Sequence, residues 1–387
     1  MAIRSSFQIL LLLCMLTVSS YAQNSPPVTL NIGDQAPPLQ IGKWLKGVPI
    51  KNLEKGRVYV VEFWATWCKP CKAAMPTLST LARKYRDNLT VLGINVYEKK
   101  IRIENKRIQE FVDSMSERMD YLIAADKDKF METSWLEASG YNGIPKTIIV
   151  NKDGIIAWIG HPKDIEKVIP KILDNTWDIK EASSKRILNQ YLTVLDDSIN
   201  IELNRFRETY EYSSDGSLLI ETKKQENPDS TLFYINKIIK QEPRLQFQPF
   251  IAYNTFYSLL KINPDKAYEY GKNALITSID SDPPSQNIIG ALDRCSYQIL
   301  LPAKIYELGA EAYQEEISQY PYPEFINIPK FYHKMAWWYW LAKNKPKAIE
   351  AEQMAISSFK NHENGMPSEL SVYKTQYELY KTCSVDE

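Results

Sequence analysis

Residues 58–71 read VYVVEFWATWCKPC and join a strand pattern directly to a helix pattern. The segment 58–64 is rich in β-branched and aromatic residues, which is typical of a buried strand. A helical pattern then covers residues 69–86. The stretch therefore predicts that Cys68 and Cys71 lie where a strand passes into a helix.

This placement suits two cysteines that exchange disulfides. At a helix N-terminus, free backbone N–H groups and the helix dipole favour an anion, which lowers a cysteine pKa from ~8.5 into the range of ~3.5–7.5. The thiolate is the attacking species in disulfide exchange. The second sulfur lies one turn further on, close enough to resolve a mixed disulfide, and Pro70 suits the first turn, where no N–H is needed. Lys69 either favours the thiolate electrostatically or is a solvated side chain with little effect.

Other uses of a Cys-x-x-Cys pair fit this sequence less well. A zinc site needs four ligands, yet the chain has only three histidines, and the next cysteine is Cys295. A peroxidase would need a Thr-x-x-Cys pocket, whereas Thr66 lies two residues before Cys68. A Cys-x-x-Cys beside a βαβ pattern is a redox signature, and no metal or organic cofactor is implied.

The rest of the first half alternates strands with helices and ends in a hairpin. Further strands are predicted at 90–96, 121–125, 146–150 and 155–159, and helices at 103–119, 131–138 and 164–173. An Asp-Gly pair at Asp153 and Gly154 separates the last two strands and is a strong hairpin signal. Together these patterns predict an α/β fold in which a mixed sheet is flanked by helices.

Composition changes near Trp177. The chain has 387 residues and no formal net charge, with 44% hydrophobic and 24% charged residues, as in ordinary globular proteins. Residues 23–177 carry 23 basic and 18 acidic side chains, net +5, whereas residues 178–387 carry 23 and 29, net −6. We predict a domain over each of these two ranges. The neutral total gives no sign of a nucleic-acid partner.

Residues 1–22 have the features of a secretory signal peptide. Arg4 precedes an apolar run from Phe7 to Val18, and Ser20-Tyr21-Ala22 forms a small-x-small cleavage site. The run is shorter than the ~18 apolar residues that a spanning helix needs. We expect cleavage near Ala22, with an uncleaved anchor as the alternative. The protein is therefore expected in the periplasm or cell envelope, an oxidising compartment, with membrane contact only through export or an uncleaved signal.

The segment Val60–Cys71 resembles the active-site segment of the thioredoxin superfamily, most of all its exported TlpA/ResA-like branch. Residues 33–37, GDQAP, are similar to that branch's N-terminal motif. Residues 143–147, GIPKT, resemble the segment that carries the family's cis-proline. The resemblance covers about residues 30–175 and implies a thioredoxin-like fold.

The resemblance implies a role for each matching residue. Cys68 is expected to be the attacking thiolate and Cys71 the resolving thiol. Pro145 is expected to be cis and to lie beside the disulfide, which leaves the backbone of Ile144 free to pair with an extended substrate. The expected substrate surface also includes Trp67, Lys69 and Pro70.

Glu62 interrupts the apolar strand six residues before Cys68. The sequence resembles thioredoxin here, because thioredoxin has a buried acid at the equivalent position. Desolvation raises the pKa of a carboxyl group under a helix, and such a group can take a proton from Cys71 as the mixed disulfide resolves. The alternative is that Glu62 points to solvent. Many TlpA/ResA-like proteins carry an acid three residues after the second cysteine, where this chain has Ala74. Glu62 must then supply any acid that the site needs.

Residues 178–387 contain no strand-rich stretch and consist of amphipathic helix patterns separated by Pro and Asn-Pro breaks. Two segments each carry small residues seven positions apart. The segments themselves are 81 residues apart, which is not a multiple of the usual tetratricopeptide repeat of ~34 residues. These small residues are Ala267, Ala274, Ala348 and Ala355. We predict an irregular, TPR-like all-α helical-hairpin domain that either binds a partner protein or stabilises the fold. Cys295 and Cys383 either pair or stay free.

These patterns predict an enzyme, an exported thiol–disulfide oxidoreductase. Its Trp-Cys-Lys-Pro-Cys redox-active centre is expected to reduce or exchange disulfides of protein substrates through a mixed disulfide on Cys68, and so to serve cell redox homeostasis. The expected partners are protein thiols and disulfides and an upstream redox donor protein. The alternative is a protein-interaction module built on the helical domain, with a thioredoxin-like scaffold of minor redox role. The intact cysteine pair together with Glu62 and Pro145 favours the enzyme.

Overall fold

The computed structural model describes residues 28–98, 105–207, 209–212, 218–224, 226–277, 284–318, 327–359 and 367–384. The predicted signal peptide, with its cleavage site near Ala22, lies outside the described residues. The chain divides into two compact units, the first ending at Ile187 and the second beginning at Leu188. In the part of the chain that is described, no helix combines the length and the apolar character needed to cross a membrane.

The first unit is built on a sheet of six strands, and its mixed parallel and antiparallel character is as the sequence predicts. The strands are β1 (Ile41–Lys46), β2 (Val58–Trp64), β3 (Leu89–Asn95), β4 (Leu122–Asp126), β5 (Lys146–Val150) and β6 (Ile156–Gly160), in the spatial order β1-β4-β3-β2-β5-β6. Strand β2 is parallel to β3 and antiparallel to β5. Every residue of β2 is buried, which accounts for its nearly continuous apolar sequence.

The helices of the first unit cover this sheet and follow the predicted pattern closely. They are α1 (Lys69–Lys84), α2 (Asn105–Met115) and α3 (Ile165–Leu173), with short 3₁₀ segments at Ser116–Met119 and Pro162–Asp164. The helix expected over 131–138 is a π-helix, Glu132–Glu137. Its wider turn shows in the bond from the Ala138 N–H to the Thr133 carbonyl, which spans five residues.

The two faces of the sheet have different partners, because successive strand residues point to opposite sides. Tyr59, Val61 and Phe63 belong to a core cluster on one face. Glu62 and Trp64 lie on the other face, where the Trp64 ring stacks on Phe111 of α2 with centroids 5.6 Å apart. Lys72 of α1 lies 5.2 Å from the centre of the same Phe111 ring, so α1 and α2 both cover the face that carries Glu62.

The division between the units falls ten residues after the boundary predicted at Trp177. Helix α4 (Ile179–Leu203) begins just after that tryptophan. Ile179 and Ala182 of its first turns pack against the core cluster of the sheet. The start of α4 therefore belongs physically to the first unit.

Among its described residues, the second unit is helical apart from one hairpin that the sequence analysis did not anticipate. Its helices after α4 are α5 (Pro228–Ile239), α6 (Pro249–Ile262), α7 (Pro264–Leu275), α8 (Pro284–Ser296), α9 (Ala303–Ser318), α10 (Ile328–Leu341), α11 (Lys345–Phe359) and α12 (Pro367–Thr382). The hairpin pairs β7 (Thr209–Tyr212) with β8 (Leu218–Lys224) in antiparallel fashion.

Short connections in the second unit produce helical hairpins, as the breaks in the sequence predict. Helices α6 and α7 are separated by Asn263 alone, and its side chain caps α7 by accepting the Lys266 N–H at 3.0 Å. The four small residues seven positions apart are all buried, at Ala267, Ala274, Ala348 and Ala355. Of the neighbouring tryptophans, Trp338 is buried whereas Trp337 is 43% exposed, because consecutive residues of a helix face different directions.

Candidate active site

The two cysteines of the Trp-Cys-Lys-Pro-Cys segment form a disulfide at the start of α1. Their sulfur atoms are 2.00 Å apart. Cys68 is the N-cap residue, and its sulfur accepts a hydrogen bond from the Cys71 backbone N–H at 3.2 Å. Cys68 is 3% exposed and Cys71 is fully buried. The first sulfur therefore lies where unpaired N–H groups and the helix dipole stabilise negative charge.

The loop that leads into Cys68 is held by an acid that the sequence analysis missed. Glu98 accepts hydrogen bonds from the Thr66 backbone N–H at 2.7 Å and from the Thr66 hydroxyl at 2.9 Å. The Asn95 side-chain amide donates to the same carboxylate at 2.8 Å. The Trp67 indole N–H donates to the Tyr97 carbonyl at 3.0 Å. The signal that could have found Glu98 is its place just after β3, since neighbouring parallel strands end at one sheet edge.

Glu62 is buried, not exposed to solvent. Neither of its carboxylate oxygens has a hydrogen-bond partner among the described protein atoms. Burial raises the pKa of Glu62 from 4.5 to about 8. Because Cys71 belongs to α1, which covers this face of the sheet, Glu62 lies on the side of the sheet where Cys71 is buried.

Polar groups without partners surround Glu62. Gly93 and Thr147 are its register partners on β3 and β5. A Cβ atom at Gly93 would lie 3.0 Å from the Tyr121 ring and 3.2 Å from the Trp64 indole nitrogen, so glycine lets both rings pack closely beside β3. The Thr147 hydroxyl, the Tyr121 hydroxyl and the Trp64 indole N–H also have no partner in the described structure. Burial and the charge of Glu62 together raise the pKa of Tyr121 well above its ordinary value.

The segment 142–145 lies at the edge where β2 ends. The Ile144–Pro145 peptide bond is cis. Phe63 of β2 pairs with Lys146 of β5, so Pro145 precedes β5 at the end of β2 from which the chain runs on to Cys68. No backbone hydrogen bond joins residues 142–145 to any other described residue. The N–H and C=O groups of residues 142–144 and the Pro145 carbonyl thus have no backbone partner in the described structure.

The remaining predicted surface residues are accessible. Trp67 is 50% exposed, Lys69 and Pro70 are exposed, and Ile144 is partly buried. Pro145 itself is buried. The structure thus brings the predicted residues to one end of the sheet, while the roles assigned to them stay predictions.

The other candidate ligands lie apart. Cys295 and Cys383 are both free thiols, so the pairing left open by the sequence does not occur in this structure. Burial raises the pKa of Cys295 to about 11. Within the described ranges, no three His, Cys, Asp or Glu residues are grouped closely enough to hold a metal ion.

Known proteins are similar to the part of the chain that contains the sheet and the cysteine pair. The sequence profile of the AhpC/TSA family matches residues 32–159. Protein FixW of Rhizobium leguminosarum is 32% identical over 161 residues, 41% of this chain and 72% of FixW. The thioredoxin-like protein YneN of Bacillus subtilis is 31% identical over 132 residues, 33% of this chain and 71% of YneN. The thiol-disulfide oxidoreductase ResA of Bacillus anthracis is 28% identical over 128 residues, 32% of this chain and 66% of ResA.

The sheet order, the helix-capping cysteine pair and the cis-proline segment define a thioredoxin-fold protein with a dithiol–disulfide centre. Its enzyme class is thiol–disulfide oxidoreductase. The chain belongs to the AhpC/TSA thioredoxin-like family, within the TlpA/ResA-like part of the thioredoxin superfamily.

Proposed function

We propose that this protein is an exported thiol–disulfide oxidoreductase that reduces or exchanges disulfides of protein substrates through a mixed disulfide on Cys68. The observation that carries the proposal is the Cys68–Cys71 disulfide at the N-terminus of α1, where Cys68 already accepts the Cys71 N–H. This geometry supports a thiolate on Cys68 in the reduced protein.

The reaction begins with the reduced pair. The Cys68 thiolate attacks one sulfur of a substrate disulfide, a new S–S bond forms, and the other substrate sulfur leaves as a thiolate. Cys71 then loses its proton and attacks the Cys68 sulfur, which releases the second substrate sulfur. The substrate gains two electrons, and its two sulfurs take up the proton lost by Cys71 and one further proton from solvent. The enzyme ends in the disulfide state described above. A dithiol donor protein restores the reduced pair.

Glu62 is the proposed acceptor of the Cys71 proton. Burial raises the pKa of Glu62 to about 8, so its ionised form is a stronger base than an exposed carboxylate and is nearer in strength to an ordinary thiolate, whose pKa is ~8.5. A base of matched pKa is most effective near its operating pH. The absence of any described protein partner for the carboxylate leaves both oxygens available for this transfer.

The proposed substrate-binding surface surrounds the disulfide. Trp67 offers a half-exposed apolar ring, and Lys69 and Pro70 are exposed beside it. An extended substrate segment can pair with the unbonded backbone of Ile144, as strands add to an open edge. The proposed location is the periplasm or cell envelope, because residues 1–22 have the pattern of a signal peptide.

The test is a trapping experiment on the full chain with Cys71→Ser. Reduced protein is mixed with insulin, and the products are separated without reductant and mapped by mass spectrometry. We expect insulin peptides linked to Cys68, because the resolving thiol is missing. Cys68→Ser/Cys71→Ser is the matched control and should trap nothing. If Cys71→Ser forms no adduct at Cys68 and the wild-type protein does not accelerate insulin reduction by dithiothreitol, the proposal fails.

A further inference from the structure

Arg186 is a buried cation at the start of α4. It is 6% exposed, and its guanidinium donates to three neutral acceptors. Its Nε donates to the Asn31 side-chain oxygen at 2.8 Å, and its Nη1 donates to the Tyr141 hydroxyl at 3.0 Å. Its Nη2 donates to the Ser139 carbonyl. A buried guanidinium with three neutral acceptors is well satisfied.

Two of these three acceptors stand directly before the segment that carries the cis-proline. Ser139 and Tyr141 follow the π-helix Glu132–Glu137, and the chain then runs through residues 142–145 into β5. Arg186 therefore fixes the point from which this segment departs.

Tyr141 also connects the two ends of the same segment. The Lys146 ammonium lies 3.5 Å from the centre of the Tyr141 ring, and the Arg186 guanidinium carbon lies 5.0 Å from it. Such cation–π contacts stabilise most where the groups are withdrawn from water. Lys146 is 9% exposed and is the first residue after Pro145. The departure and return points of the segment are thus joined through one ring.

Between these points Ile144 packs against the core cluster of the sheet and Pro145 is buried, but the backbone has few bonds of its own. No backbone hydrogen bond in the described structure reaches residues 142–145. Gly143 faces open space, since a side chain there would touch nothing within 4 Å. The position of the Ile144 backbone therefore depends on the packing of its side chain and on how the two ends of the segment are held.

We propose that Arg186 is a positioning residue that holds the 142–145 segment in the geometry required for pairing with an extended protein substrate. The inference rests on the function proposed above and adds a determinant of substrate binding outside the thioredoxin-like motifs. Arg186 acts through Ser139 and Tyr141, and it does not touch the reacting sulfur atoms. It therefore affects large substrates that pair with the segment more than small disulfides that react at Cys68 alone.

The test compares two disulfides in the full-length protein. Arg186→Gln keeps a polar side chain but cannot reach all three acceptors. We expect KM for insulin to rise about tenfold with little change in kcat. The rate with 5,5′-dithiobis(2-nitrobenzoate) and the redox potential of the Cys68–Cys71 pair should stay within twofold of wild type. Arg186→Lys, which keeps the charge, should give an intermediate KM.

Two further variants keep the result interpretable. Lys185→Gln changes the neighbouring exposed residue, whose ammonium pairs with Glu181 at 2.7 Å, and should leave both substrates unaffected. Tyr141→Phe removes one acceptor but retains the ring, so it should raise KM for insulin a few-fold. Combined with Arg186→Gln it should add less than its separate effect, because the two residues share one contact. If Arg186→Gln does not fold, the Tyr141→Phe comparison decides.

An unchanged KM for insulin in the folded variants would overturn the inference. An equal loss on both disulfides would overturn it too, because it would indicate a general structural role. Failure of the proposed function itself looks different, since the wild-type protein would then be inactive with insulin before any substitution is made.

Discussion

Buried acids behave differently in the two units of this protein. In the second unit, Asp196 accepts the backbone N–H groups of Phe250 and Ile251 at 2.8 and 2.9 Å, and thereby caps α6. Glu352 is fully buried and bonds to the His333 Nδ1 at 2.8 Å. In the first unit, Glu62 is equally buried and has no partner in the described structure.

The difference separates buried acids that stabilise the fold through their partners from Glu62, for which we propose a role in proton transfer. A buried carboxyl group without a partner costs free energy, and the surrounding residues do nothing to offset that cost. Glu132, another buried acid of the first unit, does have a partner, since Lys129 lies 2.7 Å from it. The missing partner is therefore a property of the site and not of the whole unit.

The cysteines show the same contrast. Cys68 caps a helix and has an N–H donor at its sulfur, whereas Cys295 is buried inside α8 and burial raises its pKa to about 11. A thiol with so high a pKa is almost never a thiolate near neutral pH. The position of Cys68 at a helix N-terminus favours its thiolate, whereas burial disfavours that of Cys295.

The largest expected effect tests the contrast between Cys68 and Cys295. Cys68→Ala should lower the rate of insulin reduction by several orders of magnitude, as removal of a nucleophile does in other enzymes. Cys295→Ala should leave the rate unchanged, because its thiol takes no part. Both are measured by turbidity in the presence of dithiothreitol. Substantial activity in Cys68→Ala, or loss of activity in folded Cys295→Ala, would contradict the assignment.

The next effect concerns stability and pH. The folded-state pKa of Glu62 is raised to about 8. The free energy of unfolding is therefore highest below pH ~4.5, where Glu62 is protonated in both states. It falls as the pH rises from there through the folded value, because the unfolded chain loses the proton first. At 1.36 kcal/mol per pKa unit, the loss by pH 8.5 amounts to roughly 4 to 5 kcal/mol at most. Glu62→Gln should match wild type at pH 4.5 and exceed it in unfolding free energy at pH 8.5.

Urea unfolding of the oxidised protein at several pH values measures this difference. Asp196→Asn supplies a control in the second unit, since burial raises the pKa of Asp196 only to about 6. Its effect on the pH dependence should therefore be confined to lower pH than that of Glu62. Parallel stability curves for wild type and Glu62→Gln would show that Glu62 titrates normally and is not the unpartnered buried acid described here.

The smallest of the three effects is kinetic. Glu62→Gln should slow resolution of the mixed disulfide by about a hundredfold, at the lower end of what general acid–base catalysis contributes. The first attack by Cys68 should change little, because its thiolate is stabilised by the helix N-terminus. Rapid-quench separation of the two steps at pH 7 measures both rates. Equal slowing of both steps would argue for disturbed structure and against proton transfer.

Local patterns were enough to predict much of the site. The strand over 58–64 agrees with β2, and the helix predicted from Lys69 begins there. Both follow from side-chain periodicity and from the residues at the junction. The interior position of Glu62 could be suspected because it interrupts an apolar run, although its lack of a partner depends on β3, β4 and β5 together.

Contacts between distant residues were not predictable in the same way. Glu98 reaches Thr66 across 32 positions, and Arg186 reaches Asn31 across 155. Nothing in the periodicity of either segment specifies such a partner. The β7–β8 hairpin was missed because two short strands carry a weak pattern within a region dominated by helices.

The amino-acid sequence by itself determined the order of strands and helices and the cysteine pair at a helix start, because these depend on neighbours within a few positions. Only the tertiary structure decided that Glu62 has no partner, that Glu98 holds the loop before Cys68, and that Arg186 supports the cis-proline segment. Hydrogen bonds form wherever folding brings donors and acceptors together. The packing of the sheet and helices therefore selected these residues from many similar ones.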